Sequence, residues 1–167
     1  ELDSVALEKV VGHTIGGNPR SLKRLVNSLS LIEQFSSSRN QKFLNENVLL
    51  GDLKVRNLLL FSLVCLQIAY PDIYDLLVVR PDFESWDDNW AHDVTQQNEE
   101  QDDRFQRQFE IATGMGDDFD EDWEKALFRV CYMSPRNRGR AREISKLLSY
   151  INDDVLKDHD NKGDAVA

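Results

Sequence analysis

Features that commonly reveal a protein's location or chemistry are scarce in this sequence of 167 residues. It has only two cysteines, Cys65 and Cys131, which lie far apart, outside any C-x-x-C pattern and among apolar neighbours. A free cysteine in such surroundings mostly behaves as a small hydrophobic side chain. We therefore expect two buried, reduced thiols in a cytoplasmic protein, with a single reactive cysteine as the less favoured alternative.

Long apolar runs are missing as well. The most apolar segment, LLLFSLVCLQIA at 58–69, is shorter than the roughly 20 residues that a bilayer span requires. We expect it to form a helix buried on nearly all sides, and we expect no membrane span. The chain also begins without Met or a signal peptide, in the middle of an apolar-polar pattern (ELDSVALEKVV), so we expect it to be a fragment of a longer protein.

Catalytic and metal-binding motifs are also absent. No G-x-x-x-x-G-K-[ST] phosphate loop occurs, and no apolar strand ends in the paired acids that hold Mg²⁺, so phosphoryl transfer has nothing to position it. His13, His92 and His159 are scattered without a second histidine at ligand spacing. The acidic run GDDFDED at 116–122 lacks the central glycine of a calcium loop. We expect no catalytic residue, metal or cofactor in this chain, and no enzymatic activity from it alone.

Charge of one sign dominates the middle of the sequence. The net charge is −10, yet Asp82 to Glu124 contains 16 acidic residues against the two basic residues Arg104 and Arg107, which is −14, so the remainder carries +4. Because phosphate attraction requires a basic surface, nucleic acid is a poor partner for the whole chain. Another protein could bind the acidic block. Within it, Trp86 and Trp90 are spaced to share one face of a short helix, either as a core anchor or as a protein-binding surface.

Helical periodicity recurs along most of the chain, and no segment alternates strictly between apolar and polar residues. We predict an all-α, bundle-like domain of several helices with short connections and little or no β structure. Its parts would be a helical region at 3–81, an acidic linker or helical insertion at 82–122, C-terminal helices at 123–152 and a frayed polar tail at 153–167. The expected helices lie at 3–12, 19–35, 43–50, 53–70, after Pro71, at 104–113, from Trp123, and from Ser134-Pro135, with a loop at 36–41.

The segment GGNPRSLKRLVNSLSLI at 16–32 combines a helix start with a cluster of cations. Asn18 is a good N-cap, and Pro19 suits the first helical position. Arg20, Lys23 and Arg24 then lie at the positive end of the helix dipole, on the side opposite an apolar stripe at positions 22, 25, 26, 29 and 32. With free backbone N–H groups around it, such a helix start could bind a phosphate. The alternative is that the cations are solvated or pair with acids elsewhere.

The same segment resembles the sensor-2 helix of AAA+ and related P-loop ATPases, in which G-[NT]-x-R opens a helix of the C-terminal lid. It is most similar to KAP-like P-loop NTPases, whose domains end in N/T-P-R-x-x-K-R-x-x-N. The matching positions are Asn18, Pro19, Arg20, Lys23, Arg24 and Asn27. A similar apolar helix leading into Tyr-Pro-x-x-Tyr follows at Tyr70, Pro71 and Tyr74. The resemblance covers 3–82, about half of the chain.

The resemblance implies that Arg20 contacts the terminal phosphate of a bound nucleotide, with Lys23 and Arg24 as helpers. Because the phosphate loop and the Mg²⁺ site are absent here, ATP and Mg²⁺ would be held by an upstream NTPase domain of the full-length protein. This chain would then be a non-catalytic C-terminal region, with a helical extension for regulation or partner binding. A stand-alone acidic interaction module without any link to nucleotide is the alternative.

A second basic segment, SPRNRGRAREISK at 134–146, balances the acidic block. Its candidate contact residues are Arg136, Arg138, Arg140 and Arg142. They could contact nucleic acid, which would make this a helical nucleic-acid-binding domain. We favour the other interpretation, that the segment docks the acidic block of the same chain, because uncompensated acid would repel phosphate.

Overall fold

A computed structural model describes residues 4–16, 18–40, 50–115 and 119–153 of the chain, with backbone alone for residues 29, 31–40 and 50–56. The described residues form eight α-helices and one short 3₁₀ turn, and no strand occurs among them. The all-α prediction is therefore confirmed. In chain order the elements are α1 (Ser4–His13), α2 (Pro19–Asn40), α3 (Leu50–Ala69), α4 (Pro71–Val79), the 3₁₀ turn (Phe83–Ser85), α5 (Asp88–Thr95), α6 (Glu99–Gly114), α7 (Asp122–Met133) and α8 (Ala141–Tyr150).

Local signals fix where four of the helices begin. Pro19 and Pro71 occupy the first positions of α2 and α4, where the missing N–H of proline costs nothing. The Asp87 carboxylate accepts a hydrogen bond from the Trp90 N–H at 2.8 Å and so caps α5. Asn98 begins α6 with a reciprocal capping box. The Asp82 to Gln101 segment thus contains a complete short helix rather than a linker.

Two predicted helix boundaries are wrong. The loop expected at 36–41 is helical through Asn40, because serine lowers helix propensity only slightly and no glycine or proline interrupts 20–40. The last helix begins at Ala141 rather than at Ser134-Pro135. Residues 134–140 form a turn instead. Gly139, near the end of this turn, has a left-handed φ of +81°, which glycine adopts at little cost. The segment predicted as helical at 43–50 lies almost wholly outside the described residues.

The chain divides into two compact units. The first combines the described residues of 1–75 with those of 147–153, and in it α1 and α2 both pack on α3. The Tyr70 hydroxyl donates to the His13 carbonyl at 3.1 Å and ties the end of α3 to the end of α1. The core of this unit contains Val10, Leu25, Phe61, Cys65, Leu66 and Ile73. In the apolar run at 58–69 only Phe61, Ser62, Cys65 and Leu66 are buried and Gln67 is exposed, so the predicted burial on nearly all sides is found only in part.

The second unit spans 76–146 and is built on α7, which packs with α5, α6 and the 3₁₀ turn. The predicted stripe of α7 is confirmed, since all four of its residues are buried: Trp123, Leu127, Val130 and Cys131. Both the acidic segment and α7 belong to this one unit, so the predicted boundary at 122–123 lies inside it. Residues 147–153 belong to the first unit, which the sequence did not indicate.

The apolar stripe of α2 is only partly buried. Leu25 is 3% exposed, whereas Leu22 is 49% and Val26 is 55% exposed. The side chains at 29 and 32 lie outside the described residues. Among the described helices, none is both long and apolar enough to cross a membrane.

Candidate functional site

The start of α2 is capped by its own sequence. The Asn18 side-chain oxygen accepts from the Arg20 N–H at 3.0 Å and from the Ser21 N–H at 3.4 Å. Leu22 N–H donates to the Asn18 carbonyl at 3.0 Å, and Pro19 has no N–H. The expectation of free backbone N–H groups is therefore wrong, because the Asn18 side chain occupies them. An anion approaching this terminus would meet the helix dipole and side-chain cations instead.

Those cations are where the sequence placed them. Arg20, Lys23 and Arg24 are all exposed, and α2 has no acidic residue in its first turn. None of the ion pairs between described residues includes any of the three. Positive charges at the positive end of a helix dipole cost stability until an anion compensates them. The structure thus presents an exposed cationic helix start of the kind that the phosphate hypothesis requires.

Arg138 and Arg140 of the second basic segment have local partners. The Arg138 Nε–H donates to the Tyr132 carbonyl at 3.1 Å, and its guanidinium lies 5.1 Å from the Tyr132 ring centroid. Arg140 pairs with Glu143 at 2.8 Å. Arg136 and Arg142 are exposed as well. The partners of Arg138 and Arg140, Tyr132 and Glu143, both lie outside the acidic block, so these two contacts do not support the predicted docking.

Two acids of the acidic block pair with Arg129, a residue of α7 that no motif in the sequence indicated. Arg129 is 2% exposed, and its guanidinium pairs with Asp88 of α5 in a bidentate manner, Nε to Oδ1 at 2.7 Å and Nη2 to Oδ2 at 2.9 Å. Its Nη1 donates to Asp102 of α6 and to the Gln97 side-chain oxygen. Lys125 also approaches Asp88, at 3.2 Å. We call Arg129, Asp88, Asp102 and Gln97 the Arg129 network.

The Arg129 network satisfies most of the hydrogen-bonding capacity of a buried guanidinium. All three guanidinium nitrogens donate, and the guanidinium also lies 3.9 Å from the centroid of the Phe105 ring. Burial alone would lower the pKa of Arg129, but hydrogen bonds and charge from Asp88 and Asp102 raise it, so the group stays charged. Gln97 Nε2 is buried without a partner. The network holds α5, α6 and α7 together and shows no geometry for catalysis.

A sequence signal for Arg129 did exist. It lies in the apolar run FRVCYM of α7, next to a block with 16 acidic residues. A single cation inside a buried stripe must be paired if it is to remain charged, and surplus acid nearby can pair it. Which acids do so depends on the fold, because Asp102 and Asp88 lie 27 and 41 residues away in sequence.

The stability of the second unit should depend on the pH through Asp88. Burial alone would raise the pKa of Asp88, but the hydrogen bonds and charges of Arg129 and Lys125 outweigh it and hold that pKa below the usual 3.8. A carboxylate with a depressed pKa contributes stability that is present above its unfolded-state pKa and is lost as the pH falls through the folded one. We expect the urea concentration at the unfolding midpoint of the wild type to decrease as the pH is lowered below about 4. In Asp88→Asn this decrease should be smaller. Parallel pH profiles for the two proteins would contradict the expectation.

Both cysteines are buried, at 0% exposure for Cys65 and 1% for Cys131. Burial raises the pKa of the Cys65 thiol to about 11, against a smaller opposite effect of a hydrogen bond with Thr14, and it raises that of Cys131 to about 12. Because the thiolate is the reactive form, we expect Ellman's reagent at pH 8 to modify the folded protein at least about 100-fold more slowly than the urea-unfolded protein. The single variants Cys65→Ser and Cys131→Ser would show which thiol causes any remaining reaction of the folded protein with the reagent. A thiol that reacts equally fast in the folded state would restore the reactive-cysteine alternative.

No group of three or more histidine, cysteine or acidic side chains is placed to hold a metal ion within the described ranges. Comparison with protein-family models, with curated proteins and with solved structures finds no match to this chain. A functional proposal therefore depends on the geometry of this chain and on the motif at the start of α2.

Proposed function

We propose that this chain is a non-catalytic helical region that acts with an upstream P-loop NTPase domain of the KAP-like kind. In this proposal Arg20 reaches the terminal phosphate of a nucleotide bound by that domain, and Lys23 and Arg24 add positive charge beside it. ATP and Mg²⁺ would be ligands of the upstream domain, and the full-length protein would be a cytoplasmic ATPase. The helices of 76–146 would serve regulation or partner binding.

One observation carries the proposal. Three exposed cations lie in the first two turns of α2, and neither an acidic residue in the first turn nor an ion pair among the described residues compensates them. A helix N-terminus behaves as about half a positive charge, so a facing phosphate would stabilise the cations and the dipole together. Arginine suits this role because its guanidinium can bind two phosphate oxygens at once. Spacing and exposure both support Arg20, which is nearest to the N-terminus, as the principal contact.

The matched experiment compares Arg20→Ala with Arg136→Ala in the full-length protein. Both substitutions remove one exposed arginine, but only Arg20 lies at the start of α2. We expect Arg20→Ala to reduce ATP turnover at least about 10-fold, because one phosphate contact is lost. Arg136→Ala should leave ATP turnover unchanged. Circular dichroism spectra of both variants would check that they fold. Equal turnover and equal nucleotide affinity in the two variants would eliminate the sensor role.

A second candidate is the acidic interaction module, which the exposed acids of α6 favour. Glu99, Glu100, Asp103 and Glu110 are all exposed, and in the described residues Glu100 alone of these pairs with a cation, Arg104. This candidate predicts that the full-length protein contains no phosphate loop before Glu1. The residues that precede Glu1 in the full-length protein therefore distinguish the two candidates directly. Nucleic-acid binding is less well supported, since Arg138 and Arg140 already have local partners.

A further inference from the structure

The turn between α1 and α2 is closed by hydrogen bonds of its own. The Gly16 N–H donates to the Val11 carbonyl at 2.9 Å, with Gly16 at a left-handed φ of +55°, a conformation that helices commonly use at their C-terminal end. The Asn18 N–H donates to the carbonyl of Ile15, whose side chain is buried. Asn18 in turn accepts from the Arg20 N–H. Where the end of α1 lies therefore determines where the first turn of α2 lies.

Two buried side chains from the C-terminal part of α3 and the residue after it hold this turn. The Tyr70 hydroxyl donates to the His13 carbonyl at 3.1 Å, and the Cys65 thiol shares a hydrogen bond with Thr14. The His13 carbonyl belongs to the last turn of α1, where carbonyls have no donor from their own helix. Tyr70 is 6% exposed and Cys65 is 0% exposed, so both contacts start from the core of the unit.

The backbone of Tyr70 forms the junction between α3 and α4. Its N–H donates to the Leu66 carbonyl of α3 at 2.7 Å, and its own carbonyl accepts from the Ile73 and Tyr74 N–H groups of α4, both at 3.1 Å. Pro71 follows it as the first residue of α4. Tyr70 thus belongs to the α3–α4 junction through its backbone and to the end of α1 through its hydroxyl.

We infer that Tyr70 is a positioning residue for Arg20. Its hydroxyl holds the end of α1, and with it the first turn of α2, in a fixed place relative to the α3–α4 junction. The inference rests on the proposed function, since it concerns the same phosphate contact, and Tyr70 acts through Arg20 rather than on the nucleotide. The placement matters because a misplacement of about 1 Å can lower a rate about 100-fold.

Amide hydrogen exchange of this chain, followed by NMR, tests the positioning without any nucleotide. Tyr70→Phe removes the hydroxyl and keeps the buried ring, so the fold should persist. We expect the Arg20 and Ser21 N–H groups, which donate to the Asn18 side chain, to exchange at least about 3-fold faster in this variant. Tyr74→Phe removes a hydroxyl four residues further on and should leave both rates unchanged. Unchanged rates in Tyr70→Phe, or an equal increase throughout α7, overturn the inference.

ATP turnover of the full-length protein tests whether this positioning serves Arg20. Tyr70→Phe should lower turnover at least about 3-fold, and Tyr74→Phe should not. In an Arg20→Ala background Tyr70→Phe should cause no further loss, because the arginine that it positions is gone. A purely structural role of Tyr70 would instead give losses that multiply in the double variant, and that result overturns the inference.

The two experiments separate this inference from the proposed function. If Arg20→Ala lowers turnover and Tyr70→Phe does not, the sensor role of Arg20 stands and the positioning role of Tyr70 is wrong. If Arg20→Ala leaves turnover unchanged, the nucleotide proposal is wrong, and the exchange rates of the Arg20 and Ser21 N–H groups still decide whether Tyr70 fixes the start of α2.

Discussion

Replacing Arg129 with methionine should lower the free energy of unfolding of the 76–146 unit by about 3 kcal/mol, the lower end of the usual cost of breaking a buried ion pair, because Asp88 and Asp102 are 33% and 36% exposed. The substitution leaves Asp102 without its arginine partner and leaves Asp88 with Lys125 alone, so both carboxylates lose hydrogen bonds and positive charge. It also removes the guanidinium from the Phe105 ring. Since the Arg129 network joins three helices, we expect the substitution to destabilise the whole unit and not only one local contact.

Tryptophan fluorescence reports on this unit alone. All three tryptophans of the chain, Trp86, Trp90 and Trp123, lie within 76–146, so a urea titration followed by emission wavelength measures its unfolding even if the other unit unfolds separately. Arg104→Met is the matched control. It breaks an exposed pair with Glu100 one turn away and should cost about 0.5 kcal/mol or less. If the two variants have equal urea midpoints, the Arg129 network does not stabilise the unit.

Trp86→Ala should destabilise the same unit by about 3–5 kcal/mol, the range typical of a large aromatic side chain removed from a core. Trp86 is 1% exposed, its indole lies 4.7 Å from that of Trp90, and its Nε1–H donates to the Arg80 carbonyl at 3.0 Å. The substitution therefore creates a cavity and also leaves the Arg80 carbonyl without this donor. The alternative that Trp86 belongs to a protein-binding surface is wrong, because the side chain is buried.

The neighbouring Trp90 supplies an internal comparison. It is partly exposed, so Trp90→Ala should cost clearly less than Trp86→Ala, by at least about 1 kcal/mol. Trp86→Phe should recover much of the packing but not the hydrogen bond to Arg80, and its stability should lie between those of the wild type and Trp86→Ala. In each variant at least one tryptophan remains to report unfolding. Equal losses at Trp86 and Trp90 would show that the core burial of Trp86 does not control stability.

Predictions that depend on residues close together in sequence agreed best with the structure. Helix starts at Pro19 and Pro71 and the apolar stripe of α7 were predictable, since each depends on residues within a few positions of one another. The loop at 36–41 was wrong because three serines are a weak signal, and helix propensities of this size yield to the surrounding helix. The start of α8 was misplaced because Gly139 adopts a positive φ that proline-arginine spacing does not predict.

The candidate site divides in the same way. Position and exposure of Arg20, Lys23 and Arg24 follow from the α2 pattern, and the structure agrees with both. The hydrogen bonds from the Arg20 and Ser21 N–H groups to the Asn18 side chain depend on the conformation of that side chain, which only the structure shows. Likewise, the apolar stripe of α2 was apparent, but which of its members α3 covers depends on how the two helices cross.

By itself the sequence determined the helical class, the acidic middle segment and the cationic start of α2, because periodicity, composition and N-capping all act through near neighbours. The tertiary structure alone decided that this acidic segment packs on α7, and that the buried Arg129 pairs with Asp88 and Asp102 of that segment. It also decided that Leu22 and Val26 stay exposed while Leu25 is buried. The reason is physical: the pairing of a charge or the burial of a side chain depends on groups that the fold brings together from positions distant in sequence.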